Sequence, residues 1–277
     1  MEGFHVPSTT LDELGIQSIK QEHSYYLLLL MICSTIGGFL FGYDTGVISG
    51  VLVLIKSPEV FGLSVFQSES VVSAAVFGAI VGASLSSCSN HVFGRRPAIL
   101  LSSFLFTLGS LLMGVATTYE VILCGRFVVG LGLGFSSMTV PLYIAEISPA
   151  NIRGRLVSLN TVLVTGGQFF ACVLSALLST KVSGWRYLLG MGAIPAGIQF
   201  CGFLMLPESP RFLITKKSQH AKAFAALVKI RGTEDVTEEF DEILNEVKKT
   251  TTICQVVVSG ASLDEDQYFG PLSLVVY

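Results

Sequence analysis

Apolar residues run in six long blocks, at about 25–55, 70–90, 97–117, 121–145, 156–179 and 186–206, with short polar intervals between them. A helix crosses a ~30 Å hydrocarbon core in roughly 20 residues, so the pattern predicts six transmembrane helices. The first block exceeds one straight crossing, and its helix is expected to begin in the interface or to tilt. Past residue 206 the pattern changes. Residues 207–250 read as two short amphipathic helices outside the membrane, and 251–277 show no clear periodicity. The expected class is all-α integral membrane: a polar tail (1–24), a six-helix bundle (25–206), a helical segment (207–250) and a divergent tail (251–277).

The polar intervals set the orientation. Arg95 and Arg96 lie between spans two and three, and Arg153 and Arg155 between four and five. Arg211, Lys216, Lys217 and Lys222 follow span six. The alternate loops hold fewer cations. Positive loops stay in the cytoplasm, so both termini are expected there. Residues 1–24 carry no signal-peptide pattern.

Composition agrees. The chain is 51% hydrophobic and 13% charged, against about 25% charged for a soluble domain. A net charge of −3 without a basic, aromatic-laced stripe excludes a nucleic-acid partner. The six cysteines form no CxxC pair, which excludes a zinc site and a disulfide framework. The four histidines (His5, His23, His91, His220) join no nucleophile or metal constellation. No enzyme, cofactor or metal is expected.

One acid interrupts the first block, in "GGFLFGYDTGVISG" (Gly37–Gly50). Gly38, Gly42, Gly46 and Gly50 form a row of the kind that lets helices approach closely in lipid. Asp44 stands on the opposite side with Gly37, Phe41 and Ile48. An acid inside a span costs about 2.5–3.5 kcal/mol and is functional by default. Arg126 of span four is its candidate partner, with Gly130 and Gly134 on the same row expected to leave room above it. An arginine near a helix end can also snorkel to the interface. Span five carries Ser158, Thr161, Thr165, Gln168, Cys172 and Ser175 at helical spacing. Either these line a cavity, or the hydroxyls bond their own backbone and Gln168 bonds a neighbouring helix. The row Ala74, Gly78, Gly82 and Ser86 in span two reads as packing. Neutral hydrogen-bonding groups, an aromatic and one titratable acid suit a neutral polyhydroxylated solute moved with a proton: ionised, the acid attracts Arg126; protonated, it releases it.

At these residues the sequence resembles the sugar porter family of the major facilitator superfamily, most like its proton-coupled myo-inositol cotransporters. The matching motifs are Gly42-Tyr43-Asp44-Thr45-Gly46, Gly94-Arg95-Arg96, Gly125-Arg126 with Gly130, "PLYIAEISPANIRGR" (Pro141–Arg155) and "PESPRFL" (Pro207–Leu213). The resemblance implies a rocker-switch carrier of two six-helix halves with solute bound between them. It implies proton coupling through Asp44 and Arg126. It places Phe41, Thr161, Thr165 and Gln168 along the solute path, with Thr161 where many hexose carriers have glutamine. It assigns Arg95, Arg96, Glu146, Arg153, Glu208 and Arg211 to a cytoplasmic charge latch. The segment before Gly94 is one residue longer than the family pattern, which leaves Asn90 without an assigned role. No second set of six spans follows, so the chain reads as an amino-terminal half, with a carboxy-terminal half or another carrier chain as its partner and the plasma membrane as its expected home. Two alternatives stay open: a facilitative uniporter, and a non-transporting half-carrier that regulates another chain.

Overall fold

A computed structural model describes residues 25–259 except 59, 150–151, 182, 217–219 and 233–235. Every regular element among them is an α-helix: α1 (Tyr25–Ile55), α2 (Val65–Val92), α3 (Arg95–Gly114), α4 (Tyr119–Ile147), α5 (Arg153–Leu178), α6 (Gly184–Met191), α7 (Ala193–Met205), α8 (Pro210–Thr215), α9 (His220–Arg231) and α10 (Thr237–Ser259). The tail expected at 1–24, and 260–277 of the second tail, lie outside the described residues.

Six stretches are long and apolar enough to cross a membrane, the sixth being α6 and α7 taken together. They fall where the hydrophobic pattern put them, and the chain is an integral membrane protein. The boundaries that differ have local causes. Helix α2 begins at Val65 rather than near 70, because Ser64 and Gln67 form a capping box: Gln67 N donates to Ser64 Oγ (3.3 Å) and Ser64 N to Gln67 Oε1 (3.0 Å). The sixth span is divided at Gly192, where a Cβ would press on Phe106 and Ser110. Among the described residues past the bundle the chain forms three helices rather than two. Lys216 leaves helical geometry and closes α8, and α10 continues through residue 250 to Ser259.

Three close helix pairs build the bundle: α1 with α5, α2 with α4 and α3 with α4. The glycine row of α1 faces α5, and a Cβ on Gly42 would overlap the Val164 carbonyl. Glycines Gly130 and Gly134 of α4 press on the Ala75 and Ala79 carbonyls of α2, while Gly78 and Gly82 reciprocate against Phe127 and Leu131. This corrects the reading of Gly130 and Gly134: they leave no room above Arg126 but bring α2 and α4 into backbone contact.

Apolar packing fills the remainder in two layers. One surrounds Val47, Val51, Ile55, Phe106, Ile122 and Trp185, at the end of α1 far from the arginine-rich loops. The other surrounds Leu30, Ile99, Tyr143, Ile147 and Phe203, at the basic-loop end. A satellite core of Ile214, Ala223, Leu227, Val236 and Ile243 joins α8, α9 and α10. Tyr143 stitches the bundle to this segment by donating its hydroxyl to the Pro207 carbonyl (2.8 Å).

Candidate functional site

The acid of α1 and the arginine of α4 meet inside the first apolar layer, among Leu40, Tyr43, Val47, Ile122 and Val129. Arg126 Nη1 donates to Asp44 Oδ1 at 2.5 Å. Asp44 is 5% exposed and Arg126 2%, so both charges have left water and each depends on the other. The glycine row turns the opposite face of α1 to α5, which leaves Asp44 aimed at α4. Arg126 does not snorkel. Its Nε is buried without a hydrogen-bond partner. Beside the pair, Tyr43 donates to the Leu188 carbonyl (2.6 Å) and ties α1 to α6.

Toward the basic-loop end of this pair, a cavity of about 180 Å³ opens between α1, α4 and α5. Gly38 and Phe41 line it from α1, Ser136 and Pro141 from α4, and Asn160 and Val164 from α5. Phe41 is 36% exposed and presents its ring to the opening. Pro141 has no amide hydrogen, so the Ser137 carbonyl one turn back in α4 lacks its usual intrahelical donor.

The polar stripe of α5 lies elsewhere. Thr161, Thr165 and Gln168 are exposed and do not line this cavity. The two threonines donate to the carbonyls of Val157 and Thr161 within their own helix (3.4 Å each). The gap between α1 and α5 is closed by the backbone around Val164 and Gln168, which turns their neighbours outward. Asn160, one position before the stripe, is the α5 side chain that reaches the cavity. Sequence reasoning did not single out Asn160, Ser136 or Gln199. The signal available was a carboxamide within an otherwise apolar span, which Gln199 in "IPAGIQFCGF" supplies.

At the basic-loop end four of the six latch candidates converge. Arg95 donates from Nε (3.1 Å) and Nη2 (2.6 Å) to Glu146 Oε1, and stacks over the Phe212 ring at 5.3 Å. Ser209 Oγ donates to the other Glu146 oxygen (2.5 Å). Glu208 accepts the backbone amides of Arg95 and Arg96, both at 3.1 Å, where the opening dipole of α3 favours an anion. Gly94 makes this possible: its φ of 105° is open to glycine, and a Cβ there would lie 2.5 Å from Glu208 Oε2. Arg96 donates to the Phe203 and Leu204 carbonyls at the end of α7 (3.0 and 2.7 Å). Burial pushes the Glu208 carboxyl above its usual range, opposed by the amides of Ser209, Arg96 and Arg95 and by the Arg95 charge.

The other two candidates stand apart. Arg211 pairs with Glu246 of α10 (2.6 Å) rather than with Glu146 or Glu208, and Arg153 Nε is buried without a hydrogen-bond partner. Asn90 gains a place despite the altered spacing before Gly94. Its amide bonds Ser86 and Thr139, and its carbonyl accepts from Arg95 Nη1 (3.1 Å). Among the described residues no group of histidine, cysteine, aspartate and glutamate is arranged to hold a metal ion.

Comparison with known proteins shows what the chain is similar to. The family profile "Sugar (and other) transporter" matches residues 30–272. The human proton myo-inositol cotransporter is 50% identical over 83% of this chain and 35% of its own length. Probable inositol transporter 2 of Arabidopsis thaliana is 41% identical over 91% and 47% respectively, and the major myo-inositol transporter IolT of Bacillus subtilis 36% over 81% and 48%. The chain thus spans less than half the length of each of these relatives. Among solved structures, the proton:xylose symporter XylE bound to 6-bromo-6-deoxy-D-glucose superposes with a TM-score of 0.73 at 29% identity, over 86% of this chain and 57% of that one. XylE from E. coli in a partially occluded inward-open conformation gives 0.72 at 28%, over 85% and 62%.

Proposed function

The chain belongs to the sugar (and other) transporter family, and from that premise we propose that it is the six-helix body of a proton-coupled symporter for myo-inositol or a related polyol or hexose. The observation that carries the reading is the buried Asp44–Arg126 pair. An acid sealed against a guanidinium has two states of different charge. Ionised, it holds α1 to α4. Protonated, it loses the attraction and Arg126 becomes available, so proton binding biases one arrangement of the helices over the other. The membrane potential contributes about 2.3 kcal/mol per 100 mV for the proton carried.

In this reading Phe41 meets the solute, and the exposed Thr161, Thr165 and Gln168 of α5 face a second six-helix body, from the same chain or another, that completes the solute path. The joint of Arg95, Arg96, Glu146 and Glu208 is a latch on the cytoplasmic side, with Arg153 and Arg211 at its edge. The protein catalyses no reaction, sits in the plasma membrane and keeps both termini in the cytoplasm, as the basic loops support. A second reading, a half-carrier that regulates another transporter by association, is favoured by the bare polar face of α5.

Uptake of labelled myo-inositol into proteoliposomes under an inward proton gradient tests the proposal. Accumulation that collapses with the gradient supports symport. Uptake that ignores the gradient identifies a uniporter. Gradient-driven uptake that needs a co-reconstituted second six-helix chain still supports symport, whereas no uptake with or without that chain supports the half-carrier.

A further inference from the structure

Three consecutive residues of α1 address three different helices. Gly42 lies against the Val164 carbonyl of α5, Tyr43 donates to the Leu188 carbonyl of α6 at 2.6 Å, and Asp44 accepts from Arg126 of α4. Successive side chains leave a helix about 100° apart, so the three contacts hold α1 from separate directions.

The Tyr43 contact exists because span six is divided. In an unbroken helix the Gly192 amide would close on the Leu188 carbonyl, four residues back. Here Gly192 ends α6, and its amide is directed to the Gly190 carbonyl instead. The Leu188 carbonyl is thereby deprived of its intrahelical donor, on a residue that is 0% exposed. A buried carbonyl without a partner is costly, and the Tyr43 hydroxyl supplies the partner. The tyrosine ring also closes on the division itself. A Cβ on Gly192 would lie 3.5 Å from Tyr43 Cε1 and 3.1 Å from the Phe106 ring.

Any neighbouring helix can offer a hydroxyl to a bare carbonyl. This one comes from the residue directly before the buried acid. With α1 backed against α5 by its glycine row, the bond to Arg126 by itself leaves the helix free to turn about its axis once the acid is neutralised. A second anchor one residue away fixes that rotation, and with it the direction of the Asp44 carboxylate.

We infer that Tyr43 is a positioning residue for the coupling pair: its bond to the carbonyl bared at the division of span six holds α1 in the rotation that aims Asp44 at Arg126. The inference rests on the transport reading and deepens it, by assigning the divided sixth span a part in keeping the acid on target.

The test is a double-mutant cycle on the purified chain in detergent, with Tyr43→Phe, Asp44→Asn and both changes together, read by denaturant unfolding. Tyr43→Phe keeps the ring and removes only the donor. It should lower the folding constant of the parent about tenfold, and that of Asp44→Asn about threefold or less, because the charge whose aim is lost is no longer there. Equal losses in the two backgrounds would make the hydroxyl a local filler and overturn the inference. A Tyr43→Phe chain that does not fold overturns it too, by assigning Tyr43 to the fold itself. In proteoliposomes the same variant should lower the ratio of gradient-driven myo-inositol accumulation to solute exchange, which general damage would leave unchanged; a ratio equal to the parent's overturns the inference. A parent chain that moves no solute, with or without a second six-helix chain, overturns the transport reading alone, and the cycle still decides for or against Tyr43.

Discussion

Arg126 on α4 reaches across the bundle to Asp44 on α1, and neither side chain exposes more than 6% of its surface. Removing one partner from such a pair leaves the other charged and dry, at about 3–5 kcal/mol. Arg126→Leu should therefore destabilise the bundle by that order. Asp44→Asn should cost less, because an amide oxygen can still accept from the guanidinium. Denaturant titration in detergent distinguishes them; equal losses for the two variants would refute the asymmetry.

The same pair makes a transport prediction. Asp44→Asn cannot take up a proton, so a reconstituted carrier with this change should lose accumulation driven by a pH gradient yet retain exchange of labelled for unlabelled solute. Inward current accompanying uptake should vanish with it. Proton-driven accumulation that persists in Asp44→Asn would assign the coupling elsewhere.

Packing supplies a cleaner pair of outcomes. A Cβ on Gly42 would overlap the Val164 carbonyl, whereas one on Gly166, on the exposed face of α5, would meet nothing within 4 Å. Gly42→Ala should force α1 from α5 and cost about 1–3 kcal/mol or more. Gly166→Ala should be neutral or stabilise α5 by about 0.4–1 kcal/mol through reduced unfolded-state freedom. Thermal unfolding of the two alanine variants reads the difference directly.

These contrasts show which parts of the molecule the sequence makes legible. Length and hydropathy locate the spans because crossing lipid demands a fixed run of apolar residues. The Asp44–Arg126 pair was readable because a buried acid needs a cation, and span four offered one within its apolar run. The faces were harder. A four-residue glycine row announces close packing but not its partner, so Gly130 and Gly134 read as space when they are contacts with α2. On α5 a polar stripe announces a wet or mated face but not which cavity it borders; a turn of about 100° between adjacent residues separates exposed Thr161 from Asn160 at the cavity. Gln199 escaped notice because the glycine it lies against, Gly37, is on a helix distant in sequence.

Glu208 makes the stability of its joint with α3 depend on pH. Its carboxyl is pushed up by burial, so the folded chain binds that proton more readily than the unfolded chain. The stability this group contributes is present below the unfolded glutamate value and is lost as pH rises through the raised, folded one. Glu208→Gln removes the titration while keeping an oxygen for the amides of Arg95 and Arg96. The unfolding temperature of the parent relative to Glu208→Gln should therefore increase as pH falls from neutral toward the unfolded glutamate value of about 4.3. A difference that stays flat, or grows toward alkaline pH, would contradict the placement of this group.

Glu146 is the hinge point of the same joint, since one carboxylate oxygen holds Arg95 at the start of α3 and the other holds Ser209 at the start of α8. Glu146→Gln keeps one acceptor and removes the charge, so it can satisfy Arg95 only with a neutral bond of roughly half the strength. The apolar layers around Phe106 and Tyr143 do not depend on this contact, and the bundle should keep its fold. What should loosen is the local joint. Amide hydrogen exchange in α8 should accelerate while exchange in α4 stays slow, because local opening draws on few contacts and global unfolding on many. Faster exchange throughout α4 would mean that Glu146 supports the bundle as a whole, whereas an unchanged α8 would mean that Tyr143 and its bond to the Pro207 carbonyl suffice to hold the segment in place.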